Sequence, residues 1–275
     1  MPGSATLRKT YAGKWALVTG ASAGIGDALA VELAAAGANL ILTARRADRL
    51  EALSSKLKAD YKIQTLVIPD DLADPAAPRR IYDATEGKGI AVDILINNAG
   101  FGYLGEFVRG DHAFQRTMVD VNCAAVVDLT YLFLPRMIER KRGDVMIVAS
   151  TAAYQPVAYM ATYAATKVFD RFFAEALAEE VSRHGIRVSA LCPGPTESEF
   201  GQVAGVRGHE NRKYQTAADV ARQGLEGMAN KKTWVIPYAG GRIQVFMQRF
   251  VPRRMVTGAA ERMFRPDSVK SALKK

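Results

Sequence analysis

The chain has 275 residues, 49% of them hydrophobic and 24% charged, which suits one large folded core and excludes a disordered protein. Cys123 and Cys192 are too few for a disulfide framework and lie in apolar stretches without metal-ligand spacing, as expected of reduced thiols in a cytoplasmic protein with no bound metal. Of the formal net charge of +9, a net +7 falls after Gly240, where nine basic side chains meet two acidic ones; the high pI describes a tail and gives no reason to expect nucleic-acid binding.

The first element is a short Val- and Leu-rich strand over 15–19. It runs into Thr19-Gly20-Ala21-Ser22-Ala23-Gly24-Ile25-Gly26, which opens a helix over 24–36 that Gly37 can end. Glycine is needed where backbone must turn sharply and approach a pyrophosphate without a Cβ in the way. The helix N-terminus then offers free N–H groups to the anion. A glycine triplet alone is weak evidence; its strand–turn–helix setting makes it a dinucleotide loop. A second strand, 39–43, ends at Ala44-Arg45-Arg46, ahead of a helix over 47–58. An NAD site places a carboxylate at this strand end to bind the ribose hydroxyls. Here Ala44 takes that place beside two guanidiniums, so the pocket is expected to prefer NADP(H). Arg45 or Arg46 would clamp the 2′-phosphate, with Arg45 placed first.

A third strand, 65–69, precedes Asp71-Leu72, and Pro75 after Asp74 suits the start of a helix over 75–85. The fourth strand, 93–96, leads into Asn97-Asn98-Ala99-Gly100. A long helix over 114–141 carries Asn122, and a fifth strand, 145–149, ends at Ser150. The next helix, 157–183, holds Tyr163 and Lys167 four residues apart, hence on one face. A sixth strand, 187–191, precedes Pro193-Gly194; a helix over 217–229 and a strand over 233–236 close the series. Continuous apolar strands alternating with amphipathic helices predict an α/β fold: a doubly wound parallel sheet of about seven strands with helices on both faces. The expected division is a Rossmann-type domain over 1–240 and a C-terminal extension over 241–275.

Together these motifs resemble the short-chain dehydrogenase/reductase family over residues 12–240, through the T-G-x-x-x-G-I-G loop, Asn97-Asn98-Ala99-Gly100, and the set Asn122, Ser150, Tyr163 and Lys167. The resemblance implies that Asp71 and Leu72 contact the adenine and that Asn98, Ala99 and Gly100 line the cofactor. It also implies that Lys167 holds the nicotinamide ribose, and that Asn122 positions a water linking Lys167 to solvent. After Pro193 and Gly194 the family commonly has threonine four residues past the glycine, touching the carboxamide. Ser198 stands there instead, and Thr196 would serve only if the loop is shifted. The chemistry itself is legible. A free phenol, pKa about 10, is a poor proton shuttle near neutrality, and an adjacent ammonium pulls it down. Ser150 would hydrogen-bond the substrate oxygen. The expected activity is NADPH-dependent carbonyl reduction, or the reverse alcohol oxidation, with Tyr163 as proton donor or acceptor. The alternative is a non-catalytic NADP(H)-binding redox sensor or partner-binding protein.

Thr151, Tyr154 and Tyr159 are expected to line the pocket or pack, and His112, His184 and His209 to lie on the surface. Residues 195–215, with Phe200, Val203, Val206 and Tyr214, read as a lid, and Met160 and Tyr154 as added apolar wall. They favour an apolar ketone (3-oxoacyl, steroid-like or aromatic) over a sugar. The tail interleaves arginines with apolar residues; it can pack over the pocket, pair subunits or lie on a membrane. No run approaches about 18 consecutive apolar residues, and residues 1–14 lack the apolar core of a signal peptide. The helices 114–141 and 157–183 are expected to form a homodimer or homotetramer interface, as in the family.

Overall fold

The computed structural model describes residues 5–205, 215–266 and 269. Its seven strands are β1 (Trp15–Thr19), β2 (Asn39–Ala44), β3 (Thr65–Pro69), β4 (Val92–Asn97), β5 (Gly143–Val148), β6 (Ile186–Leu191) and β7 (Trp234–Val235). They form one parallel sheet in the order β3-β2-β1-β4-β5-β6-β7. The helices are α1 (Ala5–Tyr11), α2 (Gly24–Ala35), α3 (Ala47–Tyr61), α4 (Ala77–Ala84), α5 (His112–Val119), α6 (Ala125–Glu139), α7 (Ala161–Val181), α8 (Phe200–Val203), α9 (Ala217–Ala229), α10 (Ala239–Met247) and α11 (Arg253–Phe264).

Both faces of the sheet are covered, which is why its strands read as unbroken apolar runs. Ala16, Val18, Leu40, Leu42, Ile94, Ile96 and Met146 point to the side closed by α2, α3 and α9 through Leu29, Leu33, Leu50, Leu57 and Leu225. Leu17, Ile41, Leu95, Val145 and Ile147 point the other way, onto Leu129, Phe133, Met137, Leu177 and Val181 of α6 and α7. Strand order reverses between β1 and β4, so the carboxyl ends of these neighbours diverge into a crevice where ligands of such sheets bind.

The helix boundaries differ from expectation at three places. The helix expected from Pro75 begins at Ala77, because Asp71 and Asp74 first hold two tight turns by accepting from the N–H groups of Ala73 (3.0 Å) and Ala76 (2.9 Å). The single helix expected over 114–141 starts earlier, where Asp111 caps the N–H of Phe114 at 2.7 Å, and it is interrupted by a π turn at Asp120–Ala124. The helix expected from 157 begins at Ala161, after the left-handed backbone of Tyr159 (φ 64°) turns the chain. The run His112–Glu139 is long and apolar enough to cross a bilayer, with mean hydropathy 1.4, but it packs Val126, Leu129 and Phe133 into the protein core. Helix α1, unforeseen in the sequence, buries Leu7 and Tyr11, whose hydroxyl donates to the Leu225 carbonyl at 3.2 Å.

Candidate active site

The glycine loop leaves the end of β1 and is held from below by the segment after β4. The Thr19 hydroxyl accepts from the N–H groups of Asn98 and Ala99, both at 2.9 Å, while the Asn98 amide donates to the Thr19 carbonyl at 2.8 Å. This contact leaves no room for side chains. A Cβ on Gly26 would lie 2.3 Å from the Gly20 oxygen and 2.4 Å from Asn98 Nδ2, and one on Gly20 would lie 2.9 Å from the Ala99 Cα. Gly20 is moreover left-handed, at φ 65°. Ala23, the residue before α2, has no side chain to cap the first turn, so its N–H groups face the loop that Gly20, Ser22 and Ile25 complete. Gly24 packs against Ser198, whose Cβ would stand 3.0 Å from a Cβ added there.

At the end of β2, the Arg46 guanidinium donates to the Ser22 hydroxyl at 3.1 and 3.2 Å, joining the loop to the start of α3. It also pairs with Glu199 at 2.8 Å, and Arg49 holds the other oxygen of that carboxylate at 2.6 Å. Arg45 is exposed and is not tied to the loop. Two guanidiniums thus already grip an anionic group at the place expected to take a 2′-phosphate. Arg49 was not singled out in the sequence, although it lies three residues beyond Arg46 on one helix face. Asp71 is exposed at the end of β3, its carboxylate holding the following turn, and Leu72 packs on the core.

Tyr163 and Lys167 project from the first turns of α7, Ser150 from the end of β5. The Lys167 Nζ stands 6.0 Å from the centroid of the Tyr163 ring, and the Ser150 hydroxyl lies close enough to the phenol to lower its pKa. That hydroxyl also accepts from the Ala152 N–H at 3.1 Å. Lys167 is 5% exposed and donates to the Val148 carbonyl and to Asp170, each at 2.8 Å. Asp170, one turn along α7 and 1% exposed, was missed in the sequence; the i,i+3 spacing from Lys167 was the available signal. Its Oδ1 has no hydrogen-bond partner.

Burial pushes the Tyr163 phenol above its ordinary pKa, against the lowering pull of Lys167 and Ser150. The lowering pull expected of the ammonium is present, but desolvation outweighs it. Burial also opposes the charge on Lys167, but Asp170 and Tyr163 outweigh it and hold its pKa above the usual lysine value.

Asn122 sits in the π turn, fully buried, and both of its amide protons are spent, on the Phe101 carbonyl and the Thr166 hydroxyl, each at 3.0 Å. Its Oδ1 accepts from the Phe101 N–H at 3.1 Å. The side chain therefore ties the segment after Gly100 to α7.

After β6 the Pro193 carbonyl accepts from the Thr151 N–H at 2.8 Å, and Gly194 packs under the Tyr238 ring. The Thr196 hydroxyl turns back onto the Gly194 carbonyl at 2.9 Å, and Ser198 is exposed. Phe200 of α8 lies over the phenol ring of Tyr163, centroids 5.1 Å apart, within an apolar cluster of Val157, Met160, Ala164, Leu104 and Phe264. Val206, Tyr214 and His209 lie outside the described residues. Tyr154 turns from this wall: its hydroxyl meets the Cys192 sulfur at 3.8 Å and its ring carries the Arg171 guanidinium at 4.1 Å. Tyr159 donates to Glu261 of α11 at 3.0 Å.

Residues 14–205 match the short chain dehydrogenase family. The chain is 34% identical over 193 residues to the very-long-chain 3-oxoacyl-CoA reductase-B of Danio rerio, covering 68% of this chain and 61% of that protein. It is 36% identical over 195 residues to the hydroxysteroid dehydrogenase-like protein 1 of Gallus gallus, covering 70% and 58%. These alignments thus span about three-fifths of such relatives. Among solved structures, a short-chain dehydrogenase from Sphingobium yanoikuyae in complex with NADPH superimposes with TM-score 0.79 at 28% identity, covering 86% of this chain and 93% of that one. A bulky-bulky ketone specific alcohol dehydrogenase from Comamonas testosteroni gives 0.74, also at 28% identity, covering 86% and 92%.

Proposed function

Because the chain belongs to the short-chain dehydrogenase family, we propose that it is an NADPH-dependent oxidoreductase that reduces an apolar ketone, with a 3-oxoacyl thioester as the leading substrate class. The observation that carries this reading is the convergence of the Tyr163 phenol, the Ser150 hydroxyl and the buried Lys167 ammonium at the carboxyl edge of the sheet. The left-handed turn at Gly20, running into a helix α2 with no capping side chain, fits a pyrophosphate. The Arg46–Arg49 grip on a carboxylate fits a 2′-phosphate. Bound NADPH would supply the hydride that reaches the carbonyl carbon.

Tyr163 delivers its phenolic proton to the carbonyl oxygen, so the product alcohol gains one hydride and one proton. Ser150 donates to the same oxygen and steadies the charge that develops there. Lys167 stabilises the phenolate left behind, and its third ammonium proton is available to the ribose side. Desolvation suits this direction, because a phenol kept protonated is a donor. Leu104, Met160, Phe200 and Phe264 form an apolar wall beside Tyr163, which favours an acyl chain over a sugar.

The test is NADPH oxidation with 3-oxoacyl thioesters of increasing length, a sugar ketone as contrast, and Tyr163→Phe as control. Turnover should rise with chain length, and the variant should lose about 10²–10⁴-fold in rate while still binding NADPH. Cofactor binding without turnover on any ketone would point instead to a sensor. The chain is further proposed to work in the cytoplasm as a homodimer or homotetramer. Exposed Tyr131, Phe169 and Phe172 on α6 and α7 supply a face for that contact, and light scattering at the monomer mass would refute it.

A further inference from the structure

The helices after the sheet have an inner face that is fully engaged. Val245 packs on the core, the Gln248 amide bonds Gln155, Ala260 is buried, and Glu261 and Phe264 close the wall beside Tyr159 and Tyr163. Their outer face has no such partner among the described residues. Ile243 is 63% exposed, Phe250 69% and Met255 65%, with Phe246, Met247 and Val251 exposed between them. The Phe246 and Phe250 rings meet edge-on at 5.4 Å, and Ile243, Phe246, Met247 and Phe250 recur at helical spacing as an apolar ridge. Between Ala239 and Ala260 there are four arginines and no acidic residue. Arg249, Arg253 and Arg254 of the same stretch are exposed as well. The next carboxylate, Glu261, is already held by Arg265 and Tyr159.

We propose that this outer face of α10 and α11 docks on an anionic lipid surface, with the apolar side chains entering the headgroup boundary and the arginines meeting phosphate. Charge complementarity selects this occupant. A second copy placed on the same face by a two-fold axis would add its own arginines to a face whose nearest carboxylate, Glu261, is already taken by Arg265 and Tyr159. An anionic bilayer offers acyl chains beneath a layer of negative charge, matching apolar tips and exposed guanidiniums in one stretch. If the substrate is apolar, as proposed above, the same two helices would place the wall of the active site beside the phase that holds it. The docking does not require that reading.

The experiment is sedimentation of the full-length protein with phosphatidylcholine vesicles, with and without about 30% phosphatidylglycerol, measured without ketone so that it is independent of turnover. The protein should pellet with anionic vesicles only, and added salt should release it. Each arginine near the surface contributes about fivefold, so R249Q/R253Q/R254Q should weaken partitioning about a hundredfold. The variant I243S/F246S/F250S should also lose binding, with its circular dichroism spectrum checked against the parent for folding. Absence of pelleting by the parent would overturn the proposal. So would equal pelleting on neutral vesicles, or a dimer in solution that the serine variant alone dissolves.

Discussion

Replacing Asp170 by asparagine removes the one carboxylate among the described residues that pairs with the buried Lys167 ammonium, at 2.8 Å. At an effective dielectric of about 20, two unit charges at that separation attract by about 6 kcal/mol. Desolvating both ions takes back several kcal/mol. A remainder of about 1–3 kcal/mol corresponds to about one to two pH units. The sign follows from the causes. Burial disfavours the charge on Lys167, while Asp170, then Tyr163 and Cys123, favour it, so the intact site holds the ammonium above the usual lysine value. Without Asp170 the burial effect dominates and the lysine titrates lower. The alkaline limb of kcat/KM for ketone reduction, which belongs to the coupled Tyr163–Lys167–Asp170 set, should therefore move about one to two units toward acid in Asp170→Asn, and Asp170→Glu should restore much of it. The assay is NADPH oxidation from pH 6 to 10, with cofactor binding followed by fluorescence at the same pH values. If the Asp170→Asn profile superimposes on the parent after scaling, Asp170 only fills space and the electrostatic argument is wrong.

Other expectations test the cofactor loop and the core. Arg46→Ala should weaken NADPH binding about tenfold to a hundredfold and NADH binding much less, because a charge-assisted bond to the 2′-phosphate is lost on top of the brace to Ser22. Arg45→Ala should do little, and isothermal titration of both variants with both cofactors separates the two arginines. Gly26→Ala must shift the Gly20 carbonyl or the Asn98 amide, so thermal unfolding should show a loss of about 1–3 kcal/mol, with weaker cofactor binding in parallel. Phe133, fully buried and edge-on to Tyr82 at 5.3 Å, should cost about 3–5 kcal/mol on truncation to alanine, read by urea unfolding. A Phe133→Ala protein as stable as the parent would mean that α6 is not packed as described.

Much of the architecture, and the placing of Tyr163 beside Lys167, was legible from neighbouring residues, because those features are local. A strand covered on both faces needs consecutive apolar side chains, as in Leu40, Ile41 and Leu42. A phosphate loop needs glycines at set spacing, and a helix puts Tyr163 and Lys167 on one side whatever surrounds it. The π turn at Asp120–Ala124 left no such signature, since its composition is that of an ordinary helix. Nor did the N-terminal helix, which is held by Leu7 and Tyr11 burying themselves against a distant element.

Other features exist only because the chain returns on itself. Glu199 reaches Arg46 and Arg49 across about 150 positions, Thr19 braces Asn98 and Ala99, and Glu261 finds Tyr159. Asp170 is the instructive case. Its spacing from Lys167 could be counted along the chain, but spacing is silent about desolvation. Packing of α7 against the sheet removes both groups from water, turning an ordinary i,i+3 pair into a strong coupling within the candidate site.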